Sequence, residues 1–131
     1  MKKYGILNSE IAFLLARLGH TDTIVIADCG LPIPEGVQRI DLALKQGVPS
    51  FYETLEAVLD DFEVEQALFA QEITDHNRSL HDMSILQLKD VKVDYCTHEK
   101  FKQSVKQAKA VIRTGETTPY ANVILTAGVL F

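Results

Sequence analysis

Residues 19–36 read GHTDTIVIADCGLPIPEG, and the fold is decided in this stretch. Thr23 to Ala27 is a short β-branched run of the kind that fits a buried strand. It stops at Asp28, and the CGLPIPEG that follows is so dense in Pro and Gly that it reads as a loop. Upstream, Ile11, Leu14, Leu15 and Leu18 recur at helical spacing, so a helix is expected over Glu10–Leu18. Asn8 or Ser9 would cap its start and Gly19 would serve as a left-handed stop. Downstream, Arg39–Leu44 alternates around Ile40, Leu42 and Leu44 as a second strand would.

The same reading extends to the rest of the chain. Ser50 to Glu53 has the spacing of a capping box, ahead of a helix carrying Leu55, Val58, Leu59 and Phe62. Further strands are expected at Val64–Phe69, Val91–Cys96, Ala110–Arg113 and Asn122–Ala127. Two more helices are expected, a surface helix over Asn77–Leu88 and another over Glu99–Ala108 capped by Thr97. Helices and strands therefore alternate. That pattern predicts an α/β fold, a single layered domain over residues 1–131 with a largely parallel sheet flanked by helices.

Composition excludes several classes. The chain has 131 residues, 47% of them apolar and 24% charged, which suits one soluble core. Its net charge is −5 and no Lys/Arg run appears, so it lacks the electrostatic footprint of a nucleic-acid binder. No apolar stretch is long enough to span a bilayer, and the N-terminus has no signal-peptide core, so a cytoplasmic location is expected. Cys29 and Cys96 stand apart with no ligand spacing, which predicts reduced thiols and neither a disulfide framework nor a metal site. The chain ends Gly128-Val129-Leu130-Phe131 without a polar tail. Such an end is expected to pack on a core or on a neighbouring subunit.

Nucleotide-loop, zinc-protease and nucleophile-elbow motifs are all missing. Two polar stretches remain, GHTD leading into Asp28, and TGETTPYAN over residues 114–122. In an α/β sheet, ligands collect at the carboxyl ends of strands, where Asp28 sits. His20 follows a helix end, placed to face a site or simply to cap exposed carbonyls; His98 opens a helix, placed to face a site or simply to be an ordinary surface residue. Tyr120 and Asn122 flank Ala121, and in an extended segment both would share one face and offer a hydroxyl and an amide to a sugar. A turn aspartate at Asp28 and a packed tyrosine at Tyr120 are the plain alternatives. His76 and His81, five apart in a polar helix, are expected to be solvated.

The blocks KKYGILNSEIAFLLARLGHTDTIVIADCGLPIPEGVQRIDLAL and AVIRTGETTPYANVILTAGVLF resemble the D-ribose pyranase family, within the pyranase/fucose-mutarotase fold. The likeness runs nearly end to end, strongest in GHTD, ADxGLPIP and RTGExTPYAN, and thin from Leu55 to Asp90. Cys29 stands where a residue such as Ala is expected. The resemblance implies an isomerase that exchanges the pyranose and furanose forms of free D-ribose upstream of ribose phosphorylation. It implies no metal or organic cofactor. His20 matches the proton donor, and Asp28, His98, Tyr120, Ala121 and Asn122 match sugar-binding positions. It further implies a homodecamer of two pentameric rings, with the pocket at a subunit boundary.

Imidazole, with an ordinary pKa of ~6.5, both gives and takes protons near neutrality, which suits hemiacetal opening. His20 is expected to protonate the ring oxygen, with Asp28 holding the imidazole in place and binding a sugar hydroxyl. Rival readings are a fucose-type mutarotase, a non-enzymatic ribose-binding accessory of a transport system, and a purely structural oligomer.

Overall fold

A computed structural model describes residues 1–131. In chain order the elements are α1 (Ser9–Arg17), β1 (Thr23–Ala27), β2 (Gln38–Asp41), α2 (Phe51–Asp61) and β3 (Val64–Ala70). They continue with α3 (Ile73–His76), α4 (Arg78–Leu88), β4 (Lys92–Cys96), α5 (His98–Val105), β5 (Ala110–Arg113) and β6 (Val123–Ala127). The strands form one six-stranded sheet in the order β2-β5-β1-β6-β3-β4. β5 runs parallel to both β1 and β2, and β3 runs parallel to β4. Only β6 is reversed, lying antiparallel between β1 and β3. The expected α/β layers and largely parallel sheet are therefore found, with one reversed strand in the middle.

β1 shows why the sheet needs cover on both sides. Ile24 and Ile26 face a core that also holds Leu14, Phe51, Leu55 and Leu88 from α1, α2 and α4. Val25 and Ala27 face a smaller core with Phe101 and Val105 from α5. Period-2 alternation sends successive apolar side chains to opposite faces, so a strand that is apolar throughout must be sandwiched. No helix is long and apolar enough to cross a membrane.

Capping fixes the helix starts as the residue types require. The Asn8 side chain accepts the Ile11 amide, Ser50 and Glu53 form the reciprocal capping box, and Thr97 accepts the Lys100 amide. The end of α1 differs from expectation. Leu18 is extended and Gly19 is not left-handed; the left-handed residue is Thr21, at φ +72°. Asp22 draws the turn closed by accepting the Gly19 amide at 2.9 Å, which removes the need for a glycine stop.

Other boundaries move for identifiable reasons. β2 ends at Asp41 because that carboxylate accepts the Ala43 amide, turning the chain away before Leu44. Leu44 is left 79% exposed. The short α3, unforeseen in the sequence, precedes α4. α4 is not solvated all round, since Ser84 and Leu88 are buried. His81 was expected in solvent, yet its side chain is only 13% exposed. Its Nδ1 lies 2.9 Å from Asp82 and its Nε2 2.7 Å from the Tyr95 hydroxyl, so hydrogen bonding offsets its burial. Cys29 and Cys96 are unbonded.

Gly115 marks a close approach between two loops. A Cβ there would lie 2.5 Å from the carbonyl oxygens of Lys45 and Val48, both backbone atoms with little freedom to yield. The Gly115 amide meanwhile donates to Pro49, and its carbonyl accepts from Gly47. Gly115→Ala is expected to destabilise the fold by about 1–3 kcal/mol through overpacking. A urea melt showing a wild-type midpoint would contradict this.

Candidate active site

The reversed strand brings the first cluster together. Val123, at the start of β6, is registered against Ile26 of β1 and Phe69 of β3. The residue before β6 and those after β1 and β3 therefore meet at one edge of the sheet, the carboxyl edge of its parallel strands. Asn122 is fully buried there. Its Oδ1 accepts the Asp28 amide at 2.9 Å, and its Nδ2 donates to Asp28 Oδ2 at 2.9 Å. Only one orientation of the amide satisfies both bonds, so its donor and acceptor ends are assigned. Asp28 Oδ1 accepts the Gly30 amide at 2.9 Å. The carboxylate is thus held at both oxygens, with lone pairs left over for a ligand.

Tyr120 and Asn122 do not share a face by extended alternation. Tyr120 is left-handed at φ +56°, and the Asn122 amide folds back onto the Tyr120 carbonyl at 2.9 Å. A tight turn around the buried Ala121 delivers both side chains instead. The Tyr120 ring meets the His98 ring edge-on at 5.1 Å and lies 5.4 Å from His76. His98 also stacks at 6.5 Å on Phe101. Its backbone amide donates to both oxygens of Glu72, pinning the start of α5. His98 Nδ1 is buried without a partner, which leaves Nε2 as the ring nitrogen available to a ligand.

Several supporting residues escaped the sequence reading. Asn77 donates to the Thr118 hydroxyl and the Pro119 carbonyl, tying the Tyr120 loop to the helices. Glu116 accepts from the Phe51 amide and the Thr118 hydroxyl. Arg113 donates to the Cys29 carbonyl and to Asp41, and its hydrogen bond holds the Asp41 carboxyl below the usual range. His76, expected in solvent, is exposed but packs on Tyr120. Glu72 and His76 lie where no motif flagged them; only their position just after a strand carried a signal.

His20 is elsewhere. It precedes β1 while Asp28 follows it, so the five-residue strand separates them by about 13 Å or more. The expected pairing of His20 with Asp28 is not made within one chain. Instead His20 Nε2 lies 2.9 Å from Glu65 Oε2, near the start of β3, with the imidazole about half exposed at 51%. One surface cleft lies between α1 and α2 and another between α2 and α4, and neither His20 nor Asp28 lines them. His20 with Glu65 and Asp28 with Asn122 thus lie at opposite ends of β1.

Residues 1–130 match the model of the RbsD / FucU transport protein family. The chain is 59% identical to a D-ribose pyranase of Bacillus cytotoxicus and 58% identical to one of Bacillus cereus, over the whole of each protein. The structure of Bacillus subtilis RbsD complexed with D-ribose superposes with a TM-score of 0.98, at 53% identity and full coverage of both chains. A fucose mutarotase from Streptococcus pneumoniae, complexed with L-fucose, gives a TM-score of 0.77 at 24% identity over 95% of each chain, a likeness of fold alone.

Proposed function

Because the chain belongs to the RbsD / FucU transport protein family, we propose that it is an isomerase that interconverts the pyranose and furanose forms of free D-ribose. The observation that carries this reading is the full-length likeness to D-ribose pyranases. The carboxyl-edge residues add chemical sense, since Asn122 holds the Asp28 carboxylate and Tyr120, two residues before it, packs on His98, so that a carboxylate, a phenol and an imidazole are offered to a hydroxyl-rich ligand. Asp28, His98, Tyr120 and the Ala121–Asn122 backbone would hold the sugar. Asn122 does so chiefly by fixing Asp28.

In the reaction, His20 gives a proton to the ring oxygen as the bond from that oxygen to C1 breaks. The anomeric hydroxyl passes its proton to water, leaving the open aldehyde. For closure, a different hydroxyl of the same chain attacks C1 and yields its proton to His20, while the aldehyde oxygen gains one from water. Atoms and charge balance, and the imidazole is restored.

This scheme needs His20 beside Asp28, which one chain does not supply. A second copy placing its His20 edge over the first copy's Asp28 edge would complete the pocket. Repeating that head-to-tail contact closes a ring, consistent with two pentameric rings forming a decamer. Leu130 and Phe131 are almost fully exposed in the single chain, as an interface segment would be. A cytoplasmic protein feeding ribose to phosphorylation fits this reading.

Saturation-transfer NMR on ribose with purified protein tests the proposal. Magnetisation should pass between pyranose and furanose signals faster than in buffer. The family's transport name keeps one rival, a ribose-binding accessory that binds without exchange. Binding with buffer-level exchange would decide for that rival, and selective acceleration of L-fucose anomers would favour a mutarotase.

A further inference from the structure

The His20 edge carries its own orienting group. His20 sits in a turn that is fixed at three points. The Gly19 amide donates to Asp22, the Thr21 amide donates to the Ala127 carbonyl at 3.0 Å, and the Ala127 amide returns to the Asp22 carbonyl. Thr21 is β-branched and left-handed, a conformation that persists only where its surroundings enforce it. The imidazole is thus delivered from a rigid base.

Glu65 is aimed with equal care. Val64 is registered on Ala127 and Gln66 on Thr126, so Glu65 is the extra residue of a β-bulge, a device that re-aims a side chain. Gly128 keeps the place open, since a Cβ there would come within 3.3 Å of the Glu65 Cβ and amide nitrogen. The result is the 2.9 Å contact between Glu65 Oε2 and His20 Nε2, while Nδ1 makes no hydrogen bond within the chain.

We infer that Glu65 is the positioning residue of His20, holding the hydrogen on Nε2 so that Nδ1 is the nitrogen that exchanges protons with the sugar. The inference rests on the proposal that His20 transfers the proton. An ionised carboxylate only accepts hydrogen bonds, so the nitrogen facing it must carry hydrogen. The neutral ring then has its lone pair on Nδ1. In the forward step the protonated ring gives its Nδ1 proton to the ring oxygen as the bond to C1 breaks, leaving the neutral ring, and the other hydrogen stays on Nε2, donated to Glu65 throughout.

The test uses full-length protein labelled with ¹⁵N-histidine. Long-range ¹H–¹⁵N spectra, with His20 assigned by its loss in His20→Ala, should give the neutral ring as the Nε2–H form. An Nδ1–H form would overturn the inference, and this measurement needs no altered protein at position 65. Glu65→Ala should then mix the two forms and lower kcat by about 10- to 100-fold, with KM for ribose unchanged. Glu65→Gln, which keeps an acceptor, should restore most of kcat. If Glu65→Ala exchanges ribose at the wild-type rate while His20→Ala is inactive, Glu65 has no such role and the proton-transfer reading stands. If His20→Ala is itself fully active, that reading has failed instead.

Discussion

His20→Ala is expected to slow ribose ring exchange by about 10²- to 10⁴-fold, the usual contribution of a positioned proton-transfer group. The loss should appear in kcat. His20 lies at the far edge of the sheet from Asp28, His98, Tyr120 and Asn122, so the groups proposed to hold the sugar keep their mutual bonds without it. Its side chain bonds to Glu65, itself 43% exposed, and removing an exposed pair costs little stability. The ribose-induced rise in melting temperature should therefore survive in the variant. Saturation transfer measures the rate and thermal melts measure the binding. A variant that exchanges ring forms at the wild-type rate removes His20 from the mechanism.

Mixing two inactive proteins should restore activity. His20→Ala keeps a sound Asp28 edge and Asp28→Ala keeps a sound His20 edge. If each pocket joins the His20 edge of one copy to the Asp28 edge of the next, an equal mixture assembled from unfolded chains regains about a quarter of wild-type exchange, because half the copies contribute each edge intact. Each variant assembled alone should stay near the rate in buffer. The geometry makes the outcome sharp, since β1 stands between the two residues and no side chain spans its length. A mixture as inactive as its components would mean that both groups come from one chain. The observed separation then leaves no route for His20 to reach a sugar held by Asp28, and the assignment of His20 as the proton donor falls with it.

Most of the fold was legible in the sequence because its signals are local. The capping residues Asn8, Ser50 and Thr97 act within one helical turn of themselves, and all three do as their types require. The apolar run of β1 reports burial on two faces, which only a sheet covered by helices provides. Errors fell where a distant partner decides. β2 stops early because the Asp41 carboxylate turns the chain at Ala43, and His81 of α4 is withdrawn from water by Tyr95, which lies on β4. Tyr120 and Asn122 looked like neighbours on an extended face and are instead brought together by a left-handed turn.

The residue types of the candidate site were likewise readable, as a histidine, an aspartate at a strand end and a Tyr-Ala-Asn segment. Their arrangement was not. Sequence proximity put His20 and Asp28 in one cluster, yet eight residues that include a β-strand carry the chain from one edge of the sheet to the other. Only the tertiary structure, by reversing β6 between β1 and β3, could set Asn122 against Asp28 and leave His20 with Glu65. The sequence by itself determined which groups are present and which elements carry them, because propensity, capping and alternation act over a few residues. Strand order and direction determined who meets whom, because those depend on contacts between residues far apart in the chain.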